Sequence, residues 1–200
     1  MIEAVPEIPS LKQSVLETIT STVTEDAIVA TNTSSISVSE LARAVSRPER
    51  FVGMHFFNPV PVSKLVEIVR GDQTSDSTIA RVAEWVSTIG KESITVRDAP
   101  GFATSRLGVA IGLEAIRMLE DGVASATDID MGMTLGYGFP VGPLRLSDIV
   151  GLDVRLEIAE YLESQLGDRF AAPALLRRMV AEGNFGRKSG RGFYDWSAAS

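Results

Sequence analysis

The chain has 200 residues, enough to bury a sizeable core in one or two domains. Hydrophobic residues make up 44% and charged residues 22%, an ordinary globular balance that excludes a disordered or collagen-like chain. Nineteen Lys and Arg against 26 Asp and Glu leave a net charge of −7, a field that argues against nucleic-acid and membrane-surface partners. There is no cysteine, which removes disulfides, thiolate nucleophiles and Cys-based metal sites and suits a reducing, cytoplasmic setting. His55 is the only histidine, so no metal site is expected. The N-terminus has no signal-like pattern, and no apolar run approaches the ~18 residues that span a bilayer.

The first half alternates short apolar runs with helical patterns. Met1 to Val5 reads as a strand. Pro9 to Val23 reads as a helix, with Ser10 as its cap and Leu11, Val15, Leu16 and Ile19 on one face. Ala27 to Ala30 is a short strand ending in the polar run Thr31-Asn32-Thr33-Ser34-Ser35, and a short helix follows over Val38 to Val45 with Ser37 as cap. Phe51 to Phe57 and Lys64 to Val69 are strands separated by Asn58-Pro59-Val60-Pro61, where the prolines forbid helix. Ser75 to Ile89 reads as a helix stopped by Gly90, and Ser93 to Val96 as a last strand. This alternation predicts an α/β domain with a largely parallel sheet, whose ligands sit at the carboxyl ends of the strands. The polar runs after Ala30 and Phe57 lie at such ends.

After Asp98-Ala99-Pro100-Gly101 no strand pattern remains. Ala103 to Glu120 reads as a helix apolar over most of its circumference, which predicts burial on nearly all sides, within the chain or against a second subunit. Helices are further expected over Ala126 to Thr134 (Ser125 or Thr127 as cap), Pro143 to Val150, Leu152 to Leu166 and Ala172 to Glu182. The expected division is therefore an α/β unit over 1–97 and an all-helical unit over 98–200.

Such an α/β domain invites a search for a glycine-rich turn between strand and helix, where backbone N–H groups cradle a pyrophosphate. None qualifies. Gly136-Tyr137-Gly138 follows a helix and leads into a proline, and Gly186 to Gly192 has no helix after it. Both read as ordinary turns.

The residues with chemical potential cluster elsewhere. Gly53-Met54-His55-Phe56-Phe57-Asn58-Pro59 places the imidazole at a strand end, and twelve residues on Glu67 interrupts the apolar run Leu65-Val66-Glu67-Ile68-Val69. A carboxylate there is costly without a partner. If the two segments are neighbours, Glu67 can orient the imidazole and raise its basicity, making His55 a general base. The alternative is a half-buried structural histidine and a solvated edge glutamate.

Thr31 to Ser35, Gly53 to Pro61, Leu65 to Glu67, Asp98 to Phe102 and Asn184 to Tyr194 together resemble the 3-hydroxyacyl-CoA dehydrogenase family, over nearly the whole chain. The resemblance implies a Rossmann-type domain followed by a helical domain, with NAD as cofactor and an acyl-CoA as substrate. It implies that His55 removes the 3-hydroxyl proton and that Glu67 orients the imidazole. Ser34 and Asn58 match positions touching substrate and nicotinamide, Glu7 and Lys12 match cofactor-contacting positions, and Lys188 matches a lysine that reaches the cofactor site. The Phe102 to Glu120 helix corresponds to a homodimer core.

Two departures stand out. Ser105 occupies the place of an asparagine that polarises the substrate oxygen, implying an intervening water or lower activity. The family also begins with a glycine-rich half that this chain is expected to lack, roughly 60 to 90 residues. An exposed sheet edge and poor solubility follow as expectations. Two rival readings remain at this stage: a non-catalytic, dimerising helical module, and a relative acting on another hydroxy acid.

Overall fold

The computed structural model describes residues 1–197, so the last three residues of the expected helical unit lie outside the described ones. The chain forms two compact units, Met1–Ser105 and the remainder from Arg106.

The first unit holds β1 (Ile2–Glu3), α1 (Pro9–Thr22), β2 (Val29–Thr31), α2 (Val38–Leu41), β3 (Phe51–Phe56), β4 (Leu65–Arg70), α3 (Asp76–Thr88) and β5 (Glu92–Arg97). The strands form one sheet in the order β1-β2-β3-β4-β5. The first three are parallel, but β3 and β4 are antiparallel, and β5 returns parallel to β4. The sheet is thus largely parallel, as expected, with the β3–β4 pair as the exception. The physical reason lies in the connection over 57–64, which contains no helix and is too short for a parallel crossover.

Successive side chains of β3 enter cores on opposite faces. Phe51 packs with Leu16 of α1 and with Val38 and Leu41 of α2. Val52 and Met54 pack with Val82 and Val86 of α3. Burial on both faces accounts for the continuous apolar character of β3 and β4. Gly53 is required between them: a Cβ there would lie 2.7 Å from Val69 Cβ and 2.9 Å from Val38 Cγ2, so any larger residue would push α2 off the sheet.

Local chemistry explains most element ends. Ser37 and Ser75 cap α2 and α3 by accepting from the N–H groups of Glu40 and Thr78. Ser10, the expected cap of α1, does not act as one. Ile8 holds the cap position without a side-chain bond and Pro9 opens the helix, its φ already set for the first turn. The helix expected to reach Val45 tightens instead into a 3₁₀ turn over Ala42–Ala44.

The second unit is built on α4 (Thr104–Glu120, its first two residues belonging to the first unit), α5 (Ala126–Met131), α6 (Pro143–Val150), α7 (Leu152–Leu166) and α8 (Ala174–Ala181). Ser125 caps α5, and beyond Met131 the chain widens into a π-helical turn over Gly132–Gly136. Val109, Leu113 and Ile116 of α4 meet Leu144, Leu152, Leu162 and Leu176 in a single core. Within the chain, one face of α4 carries the core, while Leu107 is 63% exposed and Ile111 is 36% exposed. Asp148, fully buried, gathers the C-terminal turn by accepting from the N–H groups of Phe193 and Tyr194 and from Trp196 Nε1.

Arg155 of α7 is the costly residue of this unit. It is buried against α4 beside Gly108 and Gly112, its Nη1 donates to the Gly108 carbonyl at 2.9 Å, and its Nε has no partner among the described residues. Burial pulls its pKa down to about 10, so the guanidinium stays charged at neutral pH and carries the desolvation cost. Arg155→Met, which fills the same space without the charge, is expected to raise the urea midpoint by on the order of 1–2 kcal/mol of stability. A fall of similar size would show that the charge stabilises the fold.

Candidate functional site

The site grows from the antiparallel register of β3 and β4. His55 stands directly opposite Glu67, so both side chains rise from the same face of the sheet. His55 Nδ1 lies 3.0 Å from Glu67 Oε2, and the carboxylate has no solvent exposure. Glu67 is therefore not a solvated edge residue. Its oxygens also accept from the N–H groups of Ala103 (2.9 Å) and Thr104 (3.2 Å) and from the Thr104 hydroxyl (2.7 Å). The sharp turn before α4 aims these donors: Gly101 and Phe102 both take positive φ, 71° and 50°. The unusual conformation of Phe102 also sets its ring edge-on to the imidazole, with centroids 5.9 Å apart, while Phe57 lies at 4.6 Å on a tilted plane.

Burial raises the pKa of Glu67, but the hydrogen bonds from His55, Thr104 and Ala103 outweigh it and hold the carboxyl below its ordinary range. An ionised carboxylate only accepts, so Nδ1 carries its proton. In neutral His55 that leaves the lone pair on Nε2.

A second network shapes the loop after β2. Glu7 Oε1 accepts from Thr33 Oγ1 (2.5 Å) and from the N–H groups of Ser34 (2.9 Å) and Ser35 (3.1 Å). Burial raises the pKa of Glu7, and the bonds from Thr33 and Ser34, the Lys12 charge and the Ser35 N–H together bring it below its usual value. Beneath it Lys12 is only 1% exposed, its ammonium 2.8 Å from Glu3 Oε1, 2.9 Å from the Val5 carbonyl and 3.3 Å from Glu7 Oε2. Lys12 thus sits inside the loop's foundation, held by Glu3, Glu7 and the Val5 carbonyl. Asn32 Oδ1 accepts from the Phe56 N–H and ties this loop to the end of β3 beside His55.

Ser34 is half-buried and Asn58 exposed, at the carboxyl ends of β2 and β3. Ser105 follows Thr104 in the first turn of α4 and is half-buried. Lys188 belongs to the second unit, where its ammonium lies 2.5 Å from Asp153 Oδ2. Sequence reasoning missed Glu3, Thr33 and Thr104, whose partners lie at unrelated distances along the chain.

Ser34, Asn58 and Glu7 carry polar groups of the kind that a nicotinamide carboxamide and ribose require. A hydroxyl at Ser34, an amide at Asn58 and the outer carboxylate edge of Glu7 can meet a carboxamide and a ribose. Among the described residues no glycine-rich strand-to-helix turn offers a pyrophosphate cradle. No group of three or more His, Cys, Asp or Glu side chains among the described residues could hold a metal ion. No helix among them is long and apolar enough to cross a membrane.

Residues 1–99 match the family model for the NAD-binding domain of 3-hydroxyacyl-CoA dehydrogenase, and residues 101–196 match that for its C-terminal domain. The chain is 43% identical to the 3-hydroxybutyryl-CoA dehydrogenase of Clostridioides difficile, across 98% of this chain and 70% of that one. It is 44% identical to a probable 3-hydroxybutyryl-CoA dehydrogenase of Bacillus subtilis, across 98% and 69%. Among solved structures, the (S)-3-hydroxybutyryl-CoA dehydrogenase of Ralstonia eutropha superimposes with a TM-score of 0.93 at 47% identity, across 98% and 69%. The chain thus spans about 70% of the length of these relatives. Because the NAD-binding match runs from residue 1 to 99, these comparisons do not bear out the expected loss of the glycine-rich half of that domain. With a family model matched over each of its two parts, this chain belongs to the 3-hydroxyacyl-CoA dehydrogenase family.

Proposed function

We propose that this chain takes part in NAD-dependent interconversion of a 3-hydroxyacyl-CoA and its 3-oxoacyl-CoA, with His55 as the acid–base residue. The observation that carries this reading is the buried 3.0 Å pair of His55 Nδ1 and Glu67 Oε2. In the oxidative direction Nε2 of His55 accepts the proton of the substrate hydroxyl while the hydrogen on the same carbon leaves as hydride. NAD, when bound, supplies the hydride acceptor. Glu67 stabilises the imidazolium that forms and keeps the ring oriented; in the reductive direction the same Nε2 proton returns to the substrate oxygen.

Ser34 and Asn58 hold the nicotinamide end and the substrate oxygen, and Ser105 contacts the substrate near α4. Glu7 shapes the Ser34 loop and meets the cofactor with its outer edge. The exposed Leu107 and Ile111, one turn apart on α4, support a homodimer formed through the helical unit. The absence of cysteine supports a cytoplasmic setting.

The kinetic test uses acetoacetyl-CoA and NADH. His55→Gln is expected to lower kcat by about a thousandfold, and Glu67→Gln by at least about a hundredfold, with the fold retained by circular dichroism. Turnover at the parental rate in His55→Gln would overturn the proposal.

The ionised state of Glu67 has its own signature. A carboxyl whose pKa is lower folded than unfolded stabilises the fold above its unfolded value, about 4.3, and loses that contribution as the pH falls through the lowered folded value. Glu67→Gln is therefore expected to flatten the acid limb of stability below about pH 4.3, measured by urea unfolding at stepped pH. An unchanged acid limb would contradict the ionised, hydrogen-bonded state.

A further inference from the structure

The mechanism gives Glu67 Oε2 one partner, yet that oxygen has two. The Thr104 hydroxyl lies 2.7 Å away, closer than the 3.0 Å of His55 Nδ1. Facing an ionised carboxylate, the hydroxyl can only be the donor. The other oxygen, Oε1, accepts from the N–H groups of Ala103 and Thr104. Thr104 thus grips both oxygens of one carboxylate, one with its backbone and one with its side chain. That arrangement fixes rotation about the last carbon–carbon bond of Glu67 and holds Oε2 towards the imidazole.

The two donors of Thr104 differ in what they require. Any residue except proline at 104 would supply the N–H group, but only a hydroxyl can reach Oε2. A threonine at a helix start commonly turns its oxygen back to accept from the N–H groups of its own first turn. Thr104 instead sends its proton away from α4, to a carboxylate on β4. Valine has the same shape and keeps the backbone donor, so the hydroxyl is separable from the fold.

We propose that Thr104 is a positioning residue for the His55–Glu67 pair: its hydroxyl holds Oε2 in line with Nδ1 and keeps the shared proton on the imidazole. The proposal deepens the assignment of His55 as the acid–base residue and rests on it. A hydrogen bond from Thr104 withdraws electron density from Oε2. When Nε2 takes the substrate proton, Nδ1 becomes more acidic, and a more basic Oε2 would draw its proton across. With the hydroxyl in place the carboxylate stays ionised and the positive charge stays on the ring, opposite Glu67. The depressed proton affinity of Glu67 agrees with this arrangement.

The test compares Thr104→Val and Thr104→Ser with the parental chain by three readouts: the proton resonance of His55 Nδ1–H, kcat and KM for acetoacetyl-CoA, and the thermal midpoint. Thr104→Val is expected to shift the Nδ1–H resonance downfield and to lower kcat about tenfold at unchanged KM, the loss of one hydrogen bond to a charged group. Thr104→Ser is expected to restore both. A purely structural residue would lower the thermal midpoint while the resonance and kcat stay in place, and that result would overturn the proposal. The parental chain gives a check that needs no folded variant: the Thr104 hydroxyl proton should exchange slowly and lie close to Nδ1–H, and fast exchange would count against it. Should the resonance respond while the parental chain fails to turn over acyl-CoA, the positioning role stands and the assigned reaction falls.

Discussion

Everything in the candidate site depends on holding one ionised carboxylate where there is no water. Glu67 has no exposed surface, and an unpaired carboxylate in that position would take up a proton or force the strands apart. Four donors prevent this, from His55, from the Thr104 hydroxyl and from two consecutive N–H groups. Each requires a distinct piece of the fold. The imidazole needs the antiparallel β3–β4 register, and the N–H groups need the positive-φ turn through Gly101 and Phe102. The chain's only histidine is thereby fixed with Nδ1 occupied and Nε2 left for chemistry.

The neighbouring loop is built by the same logic with charges of both signs. Lys12 lies under Glu3 and Glu7, and Glu7 in turn gathers the hydroxyl of Thr33 and the N–H groups of Ser34 and Ser35. The polar run after β2 is therefore a pre-shaped ledge carried by a buried ion network. Its link to the end of β3, through Asn32 and the Phe56 N–H, ties the position of Ser34 to that of His55. Arg155 in the second unit shows the opposite case, a buried charge whose Nε no group satisfies among the described residues.

Much of this was legible in the sequence where a local rule decides the outcome. Pro143 and Gly151 bracket α6, Gly151 and Gly167 bracket α7, and Ser75 starts α3, because proline, glycine and serine act on the backbone next to them. His55 and Glu67 stood out because an imidazole at a strand end and a carboxylate within an apolar strand each call for a partner. The antiparallel return of β4 was not legible, since two prolines announce a turn without saying which way the chain leaves it. The ion network around Lys12 was not legible for a different reason: its partners Glu3 and Glu7 lie on the segment before α1, and only the fold brings them over it. Thr104 was invisible because its partner lies 37 residues away on another element. The apolar surface of α4 was legible but not which part the chain itself covers, because composition counts Leu107 and Ile111 alike whether or not a neighbour covers them.

The central claim is that Glu67 fixes the tautomer of His55, so that in the neutral ring Nδ1 carries the proton and Nε2 is the free base. Nitrogen-15 NMR of the imidazole, recorded on the folded chain at a pH where the ring is neutral, reads this directly. The geometry predicts a protonated Nδ1 and an unprotonated Nε2, with the Nδ1 proton protected from exchange. A neutral ring protonated at Nε2 would mean that Glu67 does not orient His55, and the account of the site would fail.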